Sequence, residues 1–275
     1  VNDTRFVDNR AYQNGGDIDS FAGGIVTVRN SEFINNRSAA NGSGGAIHIG
    51  NSNGVSRISN TLFQGNSSVN SGGAINVGNA SVIVDDEGGA SRFVDNSAQY
   101  GGAVRFNGTS SNTAELDSVV FEDNTASDLA GALYLGSDST TTINNNTFTG
   151  NQARTGGAIA TFAPSVTDTG SVFTANQATN GGDGGALYVG STGDFDATGS
   201  SFVDNTATGT GSSGGAIAVF QEAISLTDVT LTNNSSINGG GISAWDGATV
   251  DLDNTTLDLN RATLVGSGVG QGGGI

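Results

Sequence analysis

A chain of 275 residues with a net charge of −17 has no basic face for phosphate contacts, which excludes nucleic-acid binding. It has one histidine and no cysteine, so zinc sites and nucleophilic triads are excluded as well, although missing disulfides do not place it in the cytosol. Lysine is absent too, and all nine basic residues are arginine.

From the first residues onward two motifs alternate. The first is Phe-x-x-Asn, starting at Phe6, Phe33, Phe63, Phe93, Phe121, Phe148, Phe173 and Phe202 and continuing with leucine at Leu231 and Leu257. The second is Gly-Gly-Ala-Ile, seen at Gly44-Gly45-Ala46-Ile47, Gly72-Gly73-Ala74-Ile75, Gly101-Gly102-Ala103-Val104, Gly156-Gly157-Ala158-Ile159, Gly184-Gly185-Ala186-Leu187 and Gly214-Gly215-Ala216-Ile217. Degenerate copies read at Gly23-Gly24-Ile25, Ala130-Gly131-Ala132-Leu133, Gly239-Gly240-Gly241-Ile242 and Gly272-Gly273-Gly274-Ile275. Successive aromatic positions lie 25 to 30 residues apart. A composition so rich in Gly, Asn, Ser and Thr would signal disorder without a period; with one, it signals a repeat fold.

Helical periodicity is lacking. Short alternating runs such as Ile47-His48-Ile49, Val104-Arg105-Phe106 and Leu187-Tyr188-Val189 read as strands with one buried face. A second strand precedes each phenylalanine, as in Arg57-Ile58-Ser59-Asn60-Thr61-Leu62-Phe63. A helix-free unit of this length buries its apolar face only by stacking on its own copies, about 4.8 Å apart. The chain is therefore expected to be all-β, a parallel β-helix of about ten coils, each with two or three short strands. Phenylalanines should stack inside, asparagines should form a corner ladder, and the glycine pairs should supply turns and close rung contact. Longer stretches, Asn9 to Gly23 and Asn260 to Gly272, and the polar runs 50–54 and 107–112 are expected to protrude as loops.

The outward positions on the glycine-motif strand are expected to form one ladder: Val26, His48, Asn76, Arg105, Tyr134, Ala160, Tyr188, Ala218 and Ser243. Tyr134 and Tyr188 would stack sugar rings and Arg105 would hold a carboxylate, with His48 on the same surface, so these four are the candidate binding residues. The lone Trp245 cannot form a repeated site. Acidic runs occur at Asp85-Asp86-Glu87 and Asp194-Phe195-Asp196, and Asp95 and Asp123 hold equivalent places beside Glu122. Such pairs serve glycan hydrolysis or calcium binding in other settings, and Arg92 is the cation expected near Asp85 and Asp86. A solvated acidic face is the simpler expectation, with no catalytic residue and no cofactor beyond calcium.

The coupled Gly-Gly-Ala-Ile and Phe-x-x-Asn motifs, with the extension to alanine at Ala98, Ala126, Ala153, Ala178 and Ala207, resemble the repeat of chlamydial polymorphic outer-membrane proteins, and the resemblance covers essentially the whole chain. It implies a right-handed β-helix passenger at the cell surface or outside the cell. It also implies a non-enzymatic role in adhesion, with scaffold motifs only. The partners expected are a host or neighbouring cell surface and its glycans. No nucleic acid or transmembrane segment is expected. Residues 1–275 then form one β-helical segment of a longer surface protein. Two alternatives stand beside this: a filament or surface-layer subunit self-associating end to end, and a polysaccharide lyase or hydrolase.

Overall fold

The structure, a computed structural model, describes residues 1–108, 112–136, 140–190, 193–263 and 271–275. The polar run at 107–112 and the long interval before Gly272 therefore lie partly outside the described residues.

Each coil contributes one strand to each of four parallel sheets. One coil shows the order: Leu62–Gln64 carries the phenylalanine, Ser67–Ser68 follows the asparagine, Ile75–Val77 follows the glycine pair, and Ser81–Asp85 closes the circuit. Among the described residues the phenylalanine sheet has ten strands and the glycine-motif sheet nine, close to the coil number expected. Strands pair in register with their counterparts one coil away, so Phe63 sits opposite Phe93 and Phe93 opposite Phe121.

Four strands per coil, rather than two or three, follow from left-handed corners. In one turn Asp95 (φ 55°), Gly101 (φ 61°) and Ser118 (φ 55°) each reverse the chain sharply. The run from Ile58 to Phe63 is likewise two strands, broken at Asn60 (φ 42°). L-residues avoid this region unless they are Gly, Asn or Asp. The first corner accordingly carries Asp8, Asn35, Gly65, Asp95, Asp123, Gly150, Asp204 and Asn233 in successive coils. Exposed Ala175 (φ 54°) and, in the last coil, exposed Leu259 (φ 55°) depart from this rule. Ala175→Gly should therefore raise stability by about 0.5–1 kcal/mol, the left-handed cost less the added chain entropy. A urea midpoint at or below that of the parent chain would contradict it.

The glycine pair works as expected. Gly44 holds φ 70°, and a Cβ on Gly45 would lie 2.0 Å from the Gly73 carbonyl oxygen of the next coil. The same geometry recurs at Gly15 (φ 55°) and Gly16, whose Cβ would meet the Gly45 carbonyl at 2.0 Å. The first copy of the motif is thus Gly15-Gly16-Asp17-Ile18, not Gly23-Gly24-Ile25. Ile18 pairs with Ile47, and Asp19 with His48. Asp17, standing where later coils have alanine, disguised the copy. The stretch after Asn9 is consequently a regular turn. Val26 is buried (6% exposed), and its amide donates to Ser56 Oγ (3.0 Å). It faces the core rather than the outward ladder.

The interior is a column of rings. From Phe6 to Phe202 consecutive centroids lie 4.5–5.0 Å apart with interplanar angles of 1–11°, and Leu231 continues the column, fully buried. The asparagine ladder runs beside it. Asn124 donates from Nδ2 to Asn151 Oδ1 (3.0 Å) and to the Phe93 carbonyl (2.9 Å), and from its amide to the same Asn151 Oδ1 (3.0 Å). Its own Oδ1 accepts from the amide and Nδ2 of Asn96 (3.0 and 2.9 Å). A second corner ladder, not anticipated from the repeat, is built from hydroxyls: Ser31, Ser91, Ser171 and Ser200 each accept from the amide of the preceding coil.

One core position is charged. Asp168 lies in register between Ile143 and Ala197 on an inward column and has no exposed surface. Ser200 Oγ donates to its Oδ2 (2.6 Å), whereas Oδ1 has no partner among the described residues. Burial pushes its pKa up to about 6, opposed by hydrogen bonds from Ser171 and Ser200.

Candidate binding face

Parallel register aligns the middle residue of every glycine-motif strand: Asp19, His48, Asn76, Arg105, Tyr134, Ala160, Tyr188, Ala218 and Ser243. The expected ladder therefore forms, with Asp19 in the place given to Val26. Strand alternation puts the residue two positions on at the same face. That second column reads Phe21, Gly50, Gly78, Asn107, Gly136, Phe162, Gly190, Phe220 and Trp245.

The two columns complement each other. Where the first carries Tyr134 or Tyr188, the second carries Gly136 or Gly190; where the first carries Ala160 or Ala218, the second carries Phe162 or Phe220. A ring in one column occupies space that a glycine in the neighbouring coil leaves open. A Cβ on Gly190 would lie 2.4 Å from Phe162 Cε1. The outcome is a zigzag seam of half-buried rings. Centroids are 6.1 Å apart from Tyr100 to Tyr134, 5.7 Å from Tyr134 to Phe162 and 6.0 Å from Phe162 to Tyr188, with interplanar angles of 61°, 36° and 54°. Trp245 extends the same column by packing on Phe220 at 5.9 Å.

Arg105 stands at the head of the seam, its guanidinium carbon 5.4 Å from the Tyr134 centroid. No carboxylate lies within ion-pair distance of it among the described residues, and its Nε is buried without a partner. Burial lowers the guanidinium pKa and raises that of the Tyr134 hydroxyl. His48 points away from the core as expected, but it is not a surface group. Only 8% exposed, it lies under Phe21 at 5.8 Å and accepts at Nδ1 from the Asn76 amide (3.0 Å). Burial pushes its pKa down. The structure therefore brings Arg105, Tyr134 and Tyr188 onto one accessible face and leaves His48 beneath it.

The family model described as the right handed beta helix region matches residues 87–261. The chain belongs to the right-handed β-helix family. A second model, the Chlamydia polymorphic membrane protein repeat, matches residues 60–78, the coil segment holding Phe63, Asn66 and Gly72-Gly73-Ala74-Ile75. The resemblance drawn from the two motifs is thus upheld. No curated protein and no solved structure matches the chain.

Elsewhere on the β-helix the acidic residues gather around a groove of ≈ 490 Å³ lined by Arg57, Asp85, Asp86, Glu87, Glu115 and Asp117, among others. The cation there is Arg57, bound to Asp85 at 2.6 Å and to Glu87 at 3.9 Å. Arg92, expected beside Asp85 and Asp86, pairs instead with Glu122 (3.0 Å) on the neighbouring strand of the phenylalanine sheet. Left-handed corners separate the strand of Asp85 from that of Arg92, which closeness in sequence did not convey. Among the described residues, no three His, Asp or Glu side chains gather where they could hold a metal ion.

Tyr100 and Phe162 are site residues that the sequence reading does not name, and for Phe162 a signal exists. The alternation of glycine and aromatic residues three places after the motif's aliphatic residue is visible once the coils are aligned.

Proposed function

We propose that this β-helix is a surface-exposed, non-enzymatic passenger segment that carries adhesive contacts outside the cell. The observation that carries the proposal is the aromatic seam with Arg105, laid along an outward sheet face of a rigid scaffold. The polymorphic-membrane-protein repeat at 60–78 supports a setting at the cell surface. Among the described residues no helix is long and apolar enough to cross a membrane. The acidic groove gives a catalytic role little support: among the described residues the arginines beside its carboxylates are engaged, Arg57 by Asp85 and Glu87 and Arg29 by Glu87.

Rigid half-buried rings are the side chains on which contact energy concentrates, and truncating such an anchor weakens binding by about tenfold or more. Fluorescently labelled protein should therefore bind cells from a panel of epithelial and bacterial types. The Tyr134→Ser/Tyr188→Ser variant should bind at least about tenfold less while keeping the β-sheet circular-dichroism spectrum of the parent and a cooperative unfolding transition above the assay temperature. Equal cell binding by the two proteins would overturn the proposal.

A further inference from the structure

Resting on that reading of the face, we propose that the seam binds a glycan carrying a single carboxylated sugar, with pyranose faces on Tyr134 and Tyr188 and the carboxylate on Arg105. Three features of the seam select this chemistry.

The first is ring orientation. The interior phenylalanines form a parallel stack, which turns only ring edges sideways; the seam rings are tilted by 36° to 61° and spaced 5.7–6.1 Å apart. Tyr134 and Tyr188 stay partly exposed in this arrangement, and the face of a π-system is what the polarised C–H groups on one side of a pyranose pack against. Tyr134 and Tyr188 lie two coils apart, or about 10 Å along the axis. An extended oligosaccharide running along the axis meets both. Their hydroxyls supply polar groups at the ring tips.

The second is the state of Arg105. A half-buried arginine normally has a carboxylate or carbonyl partner, because its five donors lose hydration on burial. Here Nε is buried and unpartnered, and no described acidic group reaches the guanidinium, in a protein with 26 acidic residues. Its guanidinium carbon lies 5.4 Å from the Tyr134 centroid, which sets a bidentate donor beside the ring for a planar anion.

The third is the net charge. At −17 the molecule repels a polyanion at long range, while for a single carboxylate the close contact with a desolvated arginine outweighs a long-range repulsion that salt screens. This selects a mostly neutral chain with one acidic sugar over heparin-like or polyuronate chains. A sialylated and a glucuronylated oligosaccharide share the chemistry, and the test has an arm for each.

The experiment is titration calorimetry on the full chain. The probes are 3′-sialyllactose against lactose, glucuronate-capped xylotriose against xylotriose, the methyl ester of each acidic probe, and a heparin oligosaccharide. At least one acidic probe should bind about tenfold or more tightly than both its neutral counterpart and its methyl ester, the worth of a charged hydrogen bond. Arg105→Gln should abolish that preference while keeping the affinity for the neutral sugar. The ester comparison uses the parent protein alone, so it holds even if the variant misfolds. Equal binding of acid and ester overturns the inference, as does heparin binding as tight as the best acidic probe. If no saccharide binds while the Tyr134→Ser/Tyr188→Ser variant still loses cell binding, the glycan inference falls and adhesion through this face stands.

Discussion

Asn124→Ala is expected to lower the stability of the chain by about 4 kcal/mol, because it orphans two buried donors at about 1–3 kcal/mol each. Those donors are the Asn96 amide and one proton of Asn96 Nδ2, both satisfied by the one side chain that is removed; the Phe93 carbonyl loses a second donor but keeps its place in the strand ladder opposite Phe121. Asn151 Oδ1 keeps no donor from that side chain either. Asn124 is fully buried, so water cannot replace the lost partners without opening the corner between two coils. In a stack where each coil contacts only its neighbours, the damage falls on the adjoining interfaces. Guanidinium unfolding followed by circular dichroism should show either a lower midpoint or a separate early transition. A loss below about 1 kcal/mol would show that the ladder is ornamental. Asn124→Asp sharpens the test: it keeps the acceptor for Asn96 but has no donor for Phe93 or Asn151, so at neutral pH it too should be less stable than the parent.

Replacing Asp168 by valine should stabilise the protein by about 3 kcal/mol at pH 8 and by much less below pH 4. The carboxyl titrates near 6 when folded and near 3.8 otherwise. Between those values the folded chain holds a proton that the unfolded chain has released, so stability falls as pH rises through this window and stays lower above 6. A shift of about two units corresponds to about 3 kcal/mol. Valine matches the apolar character of Ile143 and Ala197 on either side, and Ser200 Oγ retains the Thr198 carbonyl at 3.5 Å. Asp17, whose pKa is also raised to about 6 by burial, contributes a trend of the same sign. For that reason the informative quantity is the difference between parent and variant. A difference that does not change between pH 3.5 and pH 8 would refute the assignment.

Much of the scaffold was legible because its chemistry repeats. A phenylalanine every coil, an asparagine three residues later and a glycine pair can coexist only if like residues stack. Burial of Phe33 through Phe202 and the ladder from Asn36 to Asn234 are direct consequences. Reading failed where a copy lost its signature residue. Asp17 in the alanine position hid the first glycine turn and moved the outward ladder by seven residues, from Asp19 to Val26. It failed again where a left-handed residue other than glycine made the corner, so that Asn60 passed as strand interior.

The site was half legible for a different reason. Strand alternation told which side Arg105, Tyr134 and Tyr188 face, because that depends only on neighbours in sequence. Whether a side chain facing outward is exposed depends on what the next coil places over it, some 30 residues away. Phe21 covers His48, and the seam passes through Phe162 because Gly190 leaves room for its ring. The partner of Arg57 was likewise invisible, since Asp85 reaches it across parallel strands at 2.6 Å.

Periodicity by itself determined the fold class, the interior columns and the glycine turns, because a repeat has one solution for burying its apolar face and satisfying its backbone. Only the tertiary structure decided which outward groups are accessible, which charges are paired and that Asp168 lies in the core. Those properties arise from side-chain contacts between coils, where the sequence is free to vary without disturbing the repeat.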